Sequence, residues 1–378
     1  MKLETYSFQN DQWSSRHFPS LDSEHTLVLA FFSPRFGLES RALAELRQMY
    51  PRAQMMGCST AGEILGTEIL DDSIVVSIIQ FERTELRTAY ATVGCAEDSA
   101  AAGAALAKEL ADARLRAVFV VSDGTRVNGS HLVEGLNSGL SADVVVTGGL
   151  AGDGTAFGKT WVLENGVPRD GIAAAVGFYG ENVRVGHGSK GGWDIFGPER
   201  VITRSRDHVL YELDGRPALD LYKEYLGERA TELPASALLF PLSIRAGRQD
   251  GNRVVRTVLA VDEGEKNLTF AGNVPTGHLA QLMRANFDRL IDGAAGAAAE
   301  LRSALTSSGP TLCIAVTCVG RRLVLGERAE EEVEAVIEGM TQQTQQIGFY
   351  SYGELSPYTN GRCDLHNQTM TLTAIGET

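Results

Sequence analysis

The 378-residue chain is 43% hydrophobic and 22% charged, an ordinary globular balance with enough apolar material for a sizeable core. Its 34 basic against 48 acidic residues leave a net charge of −14, a surface that repels phosphate backbones and argues against nucleic acid as a partner. No apolar run approaches the roughly 20 residues that span a bilayer. The opening MKLETYSFQNDQWSS has no basic segment followed by an apolar one, so neither membrane insertion nor a signal peptide is expected. Five scattered cysteines without CxxC spacing read as reduced thiols, and the expected location is the cytoplasm.

In chain order, the first predicted strand is TLVLAFF (residues 26–32). A helix over residues 38–50 follows, then MMGCSTAGEI, then an alternating strand over residues 73–82. The order returns at residues 117–123, 131–140, 144–154 and 171–180. It returns again at residues 311–319, 329–340, 347–355 and 368–375. Each copy reads strand, helix, strand, Gly-acid turn, strand, with the helix as a right-handed crossover. The matched turns are Gly62-Glu63, Gly152-Asp153 and Gly353-Glu354. Ordinary α/β periodicity is the alternative source of such a repeat.

Between the second and third copies, the glycine-rich residues 186–204 read as an ordered loop or hairpin. Residues 208–227 read as strand, DG turn and helix, with Pro217 in the first helical turn. Strands are expected in ALLFPLSI, VVRTVLAVD and LTFAG, and a long helical segment over residues 276–305. The expected architecture is α/β, with two domains of mixed sheets and packed helix layers built from strand-helix-strand-strand units. The domains are residues 1–207 and 208–378.

GCSTAGEI (residues 57–64) invites a nucleophile. A G-x-S-x-G elbow needs its second glycine one residue earlier and a helix after it, whereas the following EILGTEILDDSIVV looks extended. Matching the turns places Gly148 and Phe349 where Cys58 stands, so a small-residue turn is preferred to a hydrolase using Cys58 or Ser59. GHGSKG (residues 186–191) fits G-x-G-x-x-G but opens no helix, which rejects a dinucleotide site. No histidine forms an HExxH or i, i+4 pair, which argues against a zinc hydrolase. One histidine suffices as an axial haem ligand, and His187 sits among glycines with Trp193 and Phe196 nearby; the plainer alternative is a histidine bonded to backbone. Arg200, Arg204, Asp214 and Arg216 could hold a carboxylate, or form interdomain salt bridges. Glu63, Asp153 and Glu354 could meet in a cleft, though each capping the amides of its own turn is the preferred reading.

Taken together, GCSTAGEI, GGLAGDG, GHGSKGGWDIFGPERVITRS, YELDGRPALDLYKEYLG, GFYSYGELSP and LHNQTMTLTAI resemble the FIST family of bacterial sensory proteins, from about residue 26 to 375. The resemblance implies a ligand-sensing module without catalytic residues. Cys58, Ser59, Glu63, Gly152, Asp153, Trp193, Arg200, Arg204 and Glu354 are the candidate ligand contacts. It also implies the possibility of a haem subset that senses nitric oxide, with His187 as iron ligand, or of an amino-acid or small-carboxylate sensor. The implied partners are a small-molecule ligand and a separate histidine kinase or cyclic-di-GMP enzyme, with a homodimer as one assembly. A sensor without a fused output must act by contact, and the cleft between the two halves is the natural ligand site.

Overall fold

Three apolar runs, Thr26–Phe32, Leu115–Ser122 and Thr311–Cys318, form the lead strands of three sheets. The computed structural model describes residues 1–37, 39–249, 251, 253–304, 309–357 and 361–378; the expected helix start at Leu38 and end at Leu305 lie outside them. The lead strands are almost wholly buried, as expected of strands covered on both faces.

Each lead strand runs parallel to a second strand, Gln54–Ser59, Val145–Leu150 or Thr344–Ser351. It is reached through a helix, Arg41–Met49, Gly129–Gly139 or Ala329–Glu338. A return strand, Ile74–Gln80, Ile172–Tyr179 or Met370–Glu377, lies antiparallel on the other side. A flanking strand, Lys2–Gln9, Glu85–Thr92 or Val183–Lys190, pairs with the return strand. The repeat expected from sequence is therefore a repeat of topology, and the three copies are termed units 1, 2 and 3.

The units are interlocked. After its second strand, each unit sends a hairpin to a neighbour's sheet. The unit 1 hairpin, Glu63–Leu65 and Glu68–Leu70, pairs with the second strand of unit 3. The unit 2 hairpin, Val162–Glu164 and Val167–Arg169, joins unit 1, and the unit 3 hairpin, Gly353–Pro357 and Cys363–His366, joins unit 2. The exchange is cyclic, so no unit completes its sheet alone.

Strand alternation divides the core. Leu29, Phe31, Phe119, Val121, Ile314 and Val316 point into one shared interior, where the Phe31 and Phe349 rings lie 4.6 Å apart. Val28, Val118 and Ala315 face outward into separate clusters that include the covering helices.

Residues 194–284 leave this body between the flanking strand of unit 3 and the helix Phe287–Ala304, and build a fourth sheet with its own core. This bears on the expected domain boundary and corrects two other expectations. The boundary at 207/208 falls in the turn of a hairpin, Arg200–Arg206 with Val209–Leu213, whose ladder holds both sides together. The glycine-rich stretch begins as a strand: a Cβ on Gly188 would lie 2.1 Å from the Ala297 carbonyl, so the glycine admits the helix Phe287–Ala304 against the sheet. Within the expected long helix, Leu279–Arg284 is a strand paired with Leu242–Arg245.

Candidate functional site

The three Gly-acid turns meet where the hairpins cross. The Gly152 N–H donates to the Ser59 carbonyl at 2.9 Å, and the Ala61 N–H donates to the Tyr350 carbonyl at 2.9 Å. The Tyr352 N–H donates to the Leu150 carbonyl at 3.2 Å, which closes the cycle. Ser59 serves this joint: its hydroxyl donates to the Gly152 carbonyl at 2.8 Å and accepts the Trp161 N–H at 2.9 Å. Cys58 is buried in the shared interior, where burial holds its thiol well above the usual range. A neutral thiol and a hydroxyl engaged with backbone suit a joint. The strand register also places Gly57, Gly148 and Gly348 at equivalent positions, so Cys58 corresponds to Gly149 and Phe349. The turn match holds at Phe349 and is one residue off in unit 2, whose turn is one residue shorter.

Of the five cysteines, Cys95 alone is exposed. Iodoacetamide applied to native protein is expected to label Cys95, with peptide mass spectrometry as the readout. Rapid labelling of Cys58 would revive its nucleophilic reading.

The three acids do not converge. Glu63 is 1% exposed and accepts from the Thr60 hydroxyl, the Ser73 hydroxyl at 2.6 Å and the Ser73 N–H at 3.2 Å. Glu354 repeats this, accepting from Ser351 at 2.8 Å and from the Thr369 hydroxyl and N–H at 3.0 and 3.2 Å. Each glutamate thus caps the backbone amide before its unit's return strand and meets its own turn only through a hydroxyl, that of Thr60 or Ser351. Asp153 does cap its own loop, accepting from the Gly158 and Lys159 N–H groups at 2.7 Å, and also accepts the Tyr352 hydroxyl.

Burial pushes Glu63 up to about 7 and Glu354 up to about 8, against the hydrogen bonds that lower them. An unfolded glutamate titrates near about 4.3. The native state therefore holds both protons longer than the unfolded state. The stability this confers is full below the unfolded value and is lost as pH rises through 7 and 8, at up to about 1.4 kcal/mol per pH unit for each group. Urea titrations are expected to show lower stability at pH 8 than at pH 5, with Glu354→Gln flattening the fall. An unchanged slope in that variant would contradict the assignment.

The remaining candidates are dispersed. His187 lies on the flanking strand of unit 3 opposite Thr373, half-buried, and burial lowers its pKa. The Trp193 indole N–H donates to the Gln368 carbonyl at 2.8 Å. Arg200 pairs with Asp214 at 3.1 Å and donates to the Tyr225 hydroxyl, while Arg204 pairs with Glu212 at 3.0 Å and stacks over Tyr211. These contacts all lie within the fourth sheet and the helix Ala218–Leu226 that follows its hairpin. His187, the candidate iron ligand, and the candidate carboxylate-binding Arg200 and Arg204 belong to separate elements, the flanking strand of unit 3 and the fourth sheet.

The opening with the most apolar lining is elsewhere. A cleft of about 600 Å³ separates the three-sheet body from the fourth sheet. One wall carries Phe157, Cys318, Val319, Gly320, Leu323, Tyr352 and Asn367; the other carries residues 232–235, Leu238, residues 257–259 and Ala271. Phe157 stacks on Tyr352 at 4.6 Å, and the Tyr352–Asp153 bond ties this wall to the turn joint. Asp153 is thus the one sequence candidate linked directly to the cleft. Arg256 crosses beside it, donating to the Asn273 and Leu365 carbonyls at 2.9 Å and so fastening the fourth sheet to the body.

Two further features carried weak sequence signals. Arg321 and Glu332, both 0% exposed, form a salt bridge at 2.8 Å; nothing local marks a charge pair eleven residues apart as buried. Asn367 sits in the polar run HNQT, which resembles a solvated turn yet is buried throughout. That four-residue polar run abutting an alternating strand was the only available pointer.

Residues 26–216 match the family model described as the FIST N domain, and residues 218–357 match the FIST C domain. An uncharacterized protein of Methanocaldococcus jannaschii, MJ1623, is 24% identical over 362 residues, covering 82% of this chain and 65% of that protein. The chain thus spans less than two thirds of that relative's length. The crystal structure of a cyanuric acid hydrolase from A. caulinodans aligns over 78% of this chain and 99% of that one, at 12% identity and a TM-score of 0.19, too low to support an argument.

Proposed function

The chain belongs to the FIST family, whose domains are sensor domains associated with signalling, and from that premise we propose that it binds a small ligand in the cleft between the three-sheet body and the fourth sheet. The observation that carries this reading is the origin of the cleft walls. Val258 and Leu233 belong to the core of the fourth sheet and Val319 and Tyr352 to that of unit 3, with Leu238 in a cluster shared by both, so a ligand between the walls contacts both. A ligand shifts a conformational equilibrium by its differential affinity for the two states. One that touches both walls favours the closed arrangement of fourth sheet and body. The signal then passes to a separate protein, with a histidine kinase or cyclic-di-GMP enzyme as the expected class, and the role is binding rather than catalysis.

Ala235 is exposed in the cleft wall, so Ala235→Trp fills the opening without entering a core. In a thermal-shift screen of cell metabolites, stabilising compounds are expected to raise the melting temperature of the parent and not of Ala235→Trp. Retention of the shift in that variant would overturn the cleft assignment. Haem and nitric oxide sensing rest on the family resemblance. Protein purified from haem-replete cells tests that reading: a stoichiometric Soret band lost in His187→Ala supports it, and the absence of any such band removes it.

A further inference from the structure

Resting on the cleft reading, we infer that the ligand is electrically neutral and mostly apolar, and that it carries a hydrogen-bond donor and acceptor side by side, as on the edge of a cis-amide or lactam. Leu233, Pro234, Val258, Val319 and Leu323 make the walls apolar. Within them Asn367 is 1% exposed, and neither its Oδ1 nor its Nδ2 has a partner among the described residues. The Thr257 hydroxyl on the facing wall, 4% exposed, is also unpartnered. Buried polar groups left without partners are costly and uncommon, so a buried amide unpaired on both atoms beside an open cleft points to a ligand that completes it.

The carboxamide offers one acceptor beside one donor, and exchanging its oxygen and nitrogen leaves that pairing intact. Its complement is an N–H and a C=O on the same molecular edge, giving two parallel hydrogen bonds. No lysine, arginine or histidine lines the cleft among the described residues, and its one charged lining residue is the exposed Glu232. A carboxylate lodged there would be desolvated without a cation to meet it. Free amino acids and propionate-bearing rings are therefore poor occupants, whereas lactams, diketopiperazines and hydantoins fit.

The test uses matched pairs: ε-caprolactam against 6-aminohexanoate, cyclo(Leu-Leu) against leucine, and 5-benzylhydantoin against phenylalanine. Binding is measured by thermal shift and isothermal titration on the full chain. The neutral members are expected to bind and the charged members not. Asn367→Leu is expected to weaken the neutral members by roughly tenfold or more while raising the melting temperature of the ligand-free protein, since it removes an unpaired buried amide. Preference for the charged members, binding by neither class, or unchanged affinity in Asn367→Leu overturns the inference. The cleft reading falls separately, if Ala235→Trp retains the metabolite-induced shifts.

Discussion

Gly148→Ala is expected to yield no stable folded protein. Gly148 lies in the second strand of unit 2 with φ at +148°, and a Cβ there would sit 1.8 Å from the Val120 carbonyl oxygen of the adjacent lead strand. Gly57 repeats the geometry in unit 1, at +153° and 1.8 Å from the Ala30 carbonyl. The obstructing atoms are backbone in the centre of a sheet, so neither rotamer change nor loop movement relieves the contact. Relief requires breaking the ladder between lead and second strands, the part of each unit on which the exchanged hairpins assemble. A loss above about 4 kcal/mol is expected, the range reserved for such backbone conflicts. Circular-dichroism melting and soluble yield are the measurements. Gly154→Ala is the control: φ is +75° but nothing lies within 4 Å of its Cβ, so only about 1–2 kcal/mol of left-handed strain applies. Equal, mild losses at Gly148 and Gly154 would contradict the close strand contact.

Arg321→Met is the second large effect. The guanidinium donates to Glu332 through Nε at 2.8 Å and to the Leu290 carbonyl through Nη2 at 2.8 Å, and also reaches the Gly191 carbonyl. Gly191 and Leu290 bracket the departure and return of the fourth sheet, so one buried side chain holds both crossings against the unit 3 helix. Removing it leaves the Glu332 carboxylate buried with only the Tyr350 hydroxyl at 2.9 Å and the Thr317 hydroxyl at 3.3 Å. A loss of about 3–5 kcal/mol is expected from the uncompensated charge. Arg321→Met combined with Glu332→Leu removes both charges and is expected to recover much of the loss in urea titrations. A double variant as unstable as the single one would show that the carbonyl contacts, not the charge pair, carry the stability.

Much of the fold was legible because three apolar runs of strand length, each followed by a helix and a Gly-acid turn, can pack in few ways. The hairpin exchange was not legible. The pattern in Glu63–Leu65 or Gly353–Pro357 shows that a strand has a buried side but not which sheet it joins, and unit 2 delays its hairpin to Val162. The glycine run around His187 misled because glycine serves a loop and a close helix contact equally well; Ala297, over a hundred residues away, decides between them. The site was less legible than the fold. Cys58, Ser59 and Gly152 do gather, but at a joint between units. The cleft walls are drawn from residues near 157, 235, 258, 320, 352 and 367, which share no local spacing. Tyr352 and Asn367 gain their meaning only when the third unit meets the fourth sheet.

The proposed event is the binding of a small ligand between the fourth sheet and the body. Hydrogen–deuterium exchange, with and without the most stabilising metabolite, tests it most directly. Slower exchange is expected on both walls at once, in residues 232–238 and 318–323. Slowing confined to residues 183–190 around His187, with both walls unchanged, would contradict it.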